Sequence, residues 1–434
     1  MSATPDMPAD TPAPGPDLAQ ITRVFGRIGI LSFGGPAAQI ALMHKELVDD
    51  RPWMTEKQFL NALSFCMLLP GPEAMQLASY AGWRMAGVTG GLIAGLLFVL
   101  PGAAVILALA ALYAQFGQVP LVEALFMGIK ATVIIIVLQA LLKVSKKALT
   151  GLLPYVLAGA AFLGIYAFQV PFPVIILAAA AIGAVFMAGD APDTPPAPVS
   201  ARGTGRTIAI WAFVWLAPLA ALWLIAPDGL LTQIGLFFSK LAVVTFGGAY
   251  AVLAYMVQEV VADYGWLTTA QMMDALGLAE TTPGPLILVT EFVGFLAGAA
   301  EGGFGLGLAA AVVTLWVTFV PCFLWIFAGA PYVEWISHQP RLTGALNAIT
   351  AAVVGVILNL SLWFALQVLF GEVTNVALGP MTLALPTLST LIPGALILSA
   401  LAAALLLWRK IDLLKVLPVM ALAGLGYVAV TGGL

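Results

Sequence analysis

Charge is what this sequence has least of. Only 17 Lys and Arg and 21 Asp and Glu occur in 434 residues, so 9% of the chain is charged, against about 25% in a soluble domain. A chain this apolar, 62% hydrophobic, cannot keep most of its surface in water. Cysteine is almost absent too. Cys66 and Cys322 each sit in an apolar run and form no CxxC pair, which excludes a disulfide or thiolate-metal framework. No basic stripe for nucleic acid, Gly-rich nucleotide loop, haem pair or HExxH is present. That argues against an intramembrane enzyme and implies neither metal nor cofactor. The first 18 residues lack the basic start and apolar core of a signal peptide.

What the chain does have is long apolar runs, among them Leu92–Ala114, Ile208–Ile225 and Leu306–Ala328. A bilayer span needs roughly 20 such residues, and the expected fold is an all-α polytopic membrane protein. Residues 1–18 read as a disordered tail, 19–188 as a first transport repeat, 189–206 as a linker, 207–226 as a connecting transmembrane helix, and 230–432 as a second repeat.

The repeat is legible directly. Ser32-Phe33-Gly34-Gly35-Pro36 reappears as Thr245-Phe246-Gly247-Gly248-Ala249, 213 residues on. At the same offset Glu46 matches Glu259, Trp53 matches Trp266, Gln58 matches Gln271, and Pro70-Gly71-Pro72 matches Pro283-Gly284-Pro285. Positions 25–72 give 18 identities in 48 without a gap, and shared greasiness would not align Gly, Trp, Asp and Pro. Further on the offset is 220, pairing Pro101 with Pro321 and Pro120 with Pro340. The extra residues are expected around Gly302–Gly307. Internal repeats of this size mark secondary transporters whose site lies between the halves.

These motifs resemble the chromate ion transporter family. The resemblance rests on Ser32-Phe33-Gly34-Gly35-Pro36, Trp53 and Leu69-Pro70-Gly71-Pro72, and in the second half on Phe246-Gly247-Gly248, Trp266, Thr282-Pro283-Gly284-Pro285 and Phe292-Val293-Gly294. It implies a bacterial inner-membrane protein that exports chromate. Sulfate-like uptake or exchange, and a scaffold subunit, are the alternatives. A small inorganic oxyanion and the lipid bilayer are the expected partners, and a homodimer is left open.

Thirteen apolar segments, six per half plus the one between, make the second half run opposite to the first, as inverted repeats do. The first connecting loop carries Lys45, Arg51 and Lys57, and its counterpart carries Glu259 and Asp263 without Lys or Arg. The positive-inside rule puts those loops on opposite sides. If the Gly-Gly and Pro-Gly-Pro segments are re-entrant, nine segments cross, and the clusters at Lys143-Lys147, Arg202-Arg206 and Arg409-Lys415 all fall in the cytoplasm.

The breaks suggest the site. Pro favours the first turn of a helix, so new half-helices can begin at Pro36 and Pro72. Their free N–H groups and positive dipole ends suit an anion. The candidate binding residues are Arg27, Ser32, Gly34, Gly35, Pro70, Gly71, Pro72 and Gln76, and in the second half Lys240, Thr245, Gly247, Gly248, Thr282, Pro283, Gly284 and Pro285. Arg27 and Lys240 are repeat partners in apolar segments. They either balance a dianion in a cavity or snorkel to the interface. Lys130, opposite Thr350 in the repeat, has the same two readings. Glu73, Glu280 and Glu291 lie near the breaks and are candidate proton carriers, since a buried carboxyl can hold a proton, or else structural ion-pair partners.

Overall fold

A computed structural model describes residues 16–189, 203–244, 246, 249–337 and 339–432. The expected tail and linker fall largely outside these residues, and so do Thr245, Gly247 and Gly248. The described chain is helical almost throughout. The first half holds α1 (Leu18–Leu31), α2 (Gly35–His44), α3 (Glu56–Leu68), α4 (Glu73–Phe116), α5 (Pro120–Ala148), α6 (Leu152–Tyr166) and α7 (Phe172–Phe186). After α8 (Thr204–Ile225) come α9 (Leu230–Val244), α10 (Ala249–Gln258), α11 (Thr269–Thr281), α12 (Val289–Gly329), α13 (Val333–Ser337), α14 (Pro340–Leu369), α15 (Pro393–Ala403) and α16 (Leu413–Thr431).

The sequence repeat is a repeat of local devices. Thr55 and Gln58 form a capping box at the start of α3: Gln58 N donates to Thr55 Oγ1, and Thr55 N donates to Gln58 Oε1. Thr268 and Gln271 do the same for α11. Two otherwise orphaned donors are satisfied at each helix start, which explains why these pairs match at offset 213. A π-helical turn ends both α2, at Lys45–Asp49, and α10, at Glu259–Asp263. Trp53 N then donates to Leu47 O and Trp266 N to Val260 O, closing the two loops alike.

Six described segments are long and apolar enough to cross a membrane, including Glu73–Phe116 and Leu286–Tyr332 at 44 and 47 residues. Those two are not single rods. Ala86 and Gly87 leave helical geometry, with Gly87 at φ 61°. Gly82 then packs on the Gly90 carbonyl, and Gly91 and Gly95 pack on Ser79. The arms 73–85 and 88–116 therefore run back along each other. Gly302 and Gly303 turn α12 in the same way, bringing Gly298 onto Leu306 and Gly294 onto Thr314. The arm 73–85 is only about 20 Å long at 1.5 Å per residue, short of the ~30 Å hydrocarbon core.

These turns relocate the extra residues. Gly87 and Gly303 are 216 apart, so three of them precede the turn, where Leu286–Leu288 form a 3-10 turn before α12. The other four fall between Gly303 and Pro321 and add about one helical turn, which keeps the same face inward.

The halves exchange partners. α5 packs on α15 and α16, and its counterpart α14 packs on α6 and α7. The inner arms meet through α4 and α12, with α1 on α4 matched by α9 on α12. α8 lies outside, against α9 and α12, with little of its surface buried. Trp215 Nε1 donates to Ser239 Oγ at 3.2 Å and helps fix it there. One small departure from all-α is a hairpin of β1 (Val373–Leu378) and β2 (Met381–Pro386), turned at Gly379 with φ 62°. Thr382 N donates to Ala167 O and Tyr166 Oη to Ala384 O, docking it on the α6–α7 turn.

Candidate functional site

Helices stop at each described break. α1 ends at Leu31 and α2 starts at Gly35, with Gly34 at φ 84° and Gly35 at φ 77°. These left-handed angles cost a side-chain-bearing residue about 1–2 kcal/mol each, so glycine is required here. α3 ends at Leu68 and α11 at Thr281, and both Pro-Gly-Pro loops hold their glycine at positive φ, 116° at Gly71 and 86° at Gly284.

The breaks of opposite halves meet. Gly284 N donates to Ser32 O at 2.9 Å. Gln39, 1% exposed, donates through Nε2 to Gly284 O at 2.6 Å and to Ser32 O at 3.2 Å. A side chain on Gly102 of α4 would overlap the Pro283 carbonyl, and one on Gly71 would collide with Cys322 of α12. Gly102 and Cys322 are repeat partners, each following the helix proline. Each Pro-Gly-Pro loop is thus seated on the proline region of the other half's long helix. A narrow cleft joins Gly71 and Pro72 to Phe238, Leu241 and Ala242 in the last turns of α9.

Beside this crossing lies a cavity of about 570 Å³ lined by Pro36, Glu73, Lys143, Lys147, Asn347 and Thr350. It gathers the first turn of α2, the first turn of α4, the cationic end of α5 and the middle of α14. α2 has no side-chain cap and no acid in its first turn, so its free N–H groups and positive end are open to an anion. α4 and α12 differ, since Glu73 and Glu291 occupy their first turns and already complement the dipole. Tyr250 also lines the cavity and donates to Glu280 Oε1 at 2.8 Å, which ties the buried Glu280 carboxyl to the same space.

The description "Chromate transporter" matches residues 19–184 and 232–427, nearly all of both halves. The chain belongs to the chromate transporter family. A "Probable chromate transport protein" of Synechococcus elongatus is 31% identical over 346 residues, 79% of this chain and 84% of that protein. A "Chromate transport protein" of Cupriavidus metallidurans is 30% identical over 364 residues, covering 80% and 82%. Another of Pseudomonas aeruginosa is 31% identical over 359 residues, covering 82% and 83%. No solved structure matches the chain.

Within this transporter the sequence-derived candidates divide. Gly34, Gly35, Pro36, Gly71, Pro72 and Pro283–Pro285 form the crossing or its cavity. The candidate hydroxyls are committed to local carbonyls, Ser32 to Ile28 O and Thr282 to Ala279 O, as are their neighbours Thr281, to Leu278 O, and Thr290, to Ile287 O. Gln76 gives its amide to Pro70 O at 2.6 Å and so holds its own loop. Arg27 is 60% exposed and pairs with Glu46 at 3.5 Å, where Arg51 pairs as well. Lys240 is exposed and lies over the Tyr255 ring at 5.3 Å. Glu291 is 1% exposed, and its Oε2 has no hydrogen-bond partner among the described residues.

Sequence reasoning passed over Lys143 and Lys147 as site residues because a basic cluster at a helix end reads as a topology signal. It also missed Asp274, 3% exposed in α11, which pairs with Lys130 at 3.3 Å. The available signal was the lone cation Lys130 in an apolar run, which demanded a buried acid.

Proposed function

We propose that this chain is a secondary transporter that exports chromate, a tetrahedral dianion, across the bacterial inner membrane. The observation that carries this is the cavity where the uncapped start of α2 faces Lys143 and Lys147. Two lysine charges balance a dianion, and backbone N–H groups supply directional hydrogen bonds without a carboxylate competitor on α2 itself. The binding set is Gly34, Gly35, Pro36, Lys143 and Lys147, with Asn347 and Thr350 opposite. Ser32, Pro70, Gly71, Pro72, Gln76, Thr282, Pro283, Gly284 and Pro285 hold the crossing that aims it. Thr245, Gly247 and Gly248 match Ser32, Gly34 and Gly35 by the sequence repeat and are assigned to binding on that ground alone. Arg27 and Lys240 act at the rims, drawing anions in.

Glu73 shares the cavity with both lysines and is the first proton carrier, with Glu280 behind Tyr250 and Glu291 in the first turn of α12. Protonated Glu73 leaves both lysines to the anion, and ionised Glu73 competes for them, which links proton and anion movement. The halves work as inverted repeats, rocking about the crossed Pro-Gly-Pro loops.

The test is flux of radiolabelled chromate in proteoliposomes, with sulfate as competitor. Lys143→Gln and Lys147→Gln should each cut uptake roughly tenfold, since a single charge near a dianion in a watery cavity is worth about 1–2 kcal/mol. The double variant should be close to inactive while inserting normally. A double variant that carries chromate at the parental rate sinks the site.

A further inference from the structure

A second cavity, of about 320 Å³, lies on another part of the α5–α14 pair and is lined by Lys130, Glu123, Thr269, Met273 and Gln367. Three of its lining positions are repeat partners of positions that line the first. Met127, Lys130 and Gln367 line it, and their partners at offset 220, Asn347, Thr350 and Lys147, line the other. At these matched positions each cavity carries one cation, Lys130 in this one and Lys147 in the other.

In the second cavity that cation is already engaged. Lys130 Nζ stands 3.3 Å from Asp274 Oδ1. Tyr113, from α4, donates to the other oxygen, Oδ2, at 2.7 Å. Among the described residues Oδ1 has no partner besides the lysine, so the carboxylate is pinned by one oxygen while the other faces Lys130. The titratable groups acting on Asp274 are Tyr113 from α4 and Lys130 and Glu123 from α5. α12, also packed on α11, carries Glu291 in its first turn.

We infer that Lys130 is a second oxyanion-binding site, and that the Asp274 carboxylate occupies it until a proton from the cavity binds Oδ1 and releases the lysine to the anion. This deepens the transport reading above and rests on it. An incoming dianion would otherwise meet two carboxylates, Asp274 and Glu123, with a single lysine to offset them. One proton taken up by Asp274 converts a closed ion pair into a free cation, and loss of that proton restores the pair and expels the anion. Proton and anion therefore occupy this site together. Tyr113 is a positioning residue that keeps Oδ1, not Oδ2, toward Lys130.

The experiment measures chromate binding to the purified full-length protein between about pH 6 and about pH 8, the range in which a perturbed carboxyl can titrate. Wild type should bind more weakly as pH rises. Asp274→Asn should bind at the upper pH as wild type does at the lower, a gain of about tenfold, and adding Lys130→Gln should abolish that gain. A folded Asp274→Asn that keeps the parental pH dependence, or a gain that survives Lys130→Gln, overturns the inference. Should Asp274→Asn fail to fold, Tyr113→Phe serves instead. It should move the pH midpoint of binding, and an unmoved midpoint is equally fatal. Wild type that binds no chromate at any pH removes the transport reading and this site with it, whereas binding that ignores these variants removes this site alone.

Discussion

Replacing Gln39 with Leu tests whether the crossing of the two halves is held by one amide. Gln39 Nε2 donates to Gly284 O at 2.6 Å and Ser32 O at 3.2 Å. Ser32 O would keep its bond from Gly284 N, but Gly284 O would lose its donor. A net hydrogen bond is worth about 1 kcal/mol, and a buried carbonyl left unpaired costs about 1–3 kcal/mol more. Against this, Gln39 Oε1 is itself buried without a hydrogen-bond partner among the described residues, so its removal returns about 1 kcal/mol. Leu has similar volume and leaves no cavity. The expected loss is about 1–3 kcal/mol, read by denaturant unfolding in detergent micelles. Gln39→Glu should be worse than Gln39→Leu, because it keeps the shape and aims a carboxylate at two carbonyl oxygens. Parental stability in the Leu variant, or a Glu variant more stable than Leu, would refute the clamp.

Gly102→Ala should destabilise by about 1–3 kcal/mol, the usual cost of overpacking, and slow flux, because its Cβ would overlap the Pro283 carbonyl. Gly26→Ala, with nothing within 4 Å of the added carbon, should be neutral or slightly stabilising in the same unfolding assay, and equal effects of the two would undo the seating of the Pro-Gly-Pro loop on α4. His44 Nε2 donates to Glu56 Oε2 at 2.6 Å, and Nδ1 lies 3.4 Å from Asp49. The Glu56 hydrogen bond raises its pKa above the ordinary 6.5. The pair's stabilisation is complete below the unfolded histidine value and fades as pH rises through the higher folded one. His44→Gln should remove a pH-dependent contribution of at most about 1 kcal/mol, since the partners are exposed. An unchanged stability-versus-pH curve would show the contact contributes nothing.

The sequence alone determined the membrane class, the two-half organisation, the family and the places where helices stop. Those are local or additive properties: apolar run length, the fixed offset of Thr55-Gln58 and Thr268-Gln271, and the φ demands of Gly34, Gly71 and Gly284. Only the tertiary structure decided what the breaks face. Ser32 and Gln39, on either side of the first break, meet Gly284 because helices cross between halves, and no periodicity records a contact between residues so far apart. The turns at Gly87 and Gly303 were hidden inside apolar runs, because glycine in a membrane helix reads as ordinary packing. Lys143 and Lys147 read as a loop signal until folding placed Pro36 and Glu73 opposite them. Asp274 waited likewise on the approach of α11 to α5. A charge becomes a site through what the low-dielectric interior sets beside it, and that neighbour is chosen by packing at a distance along the chain.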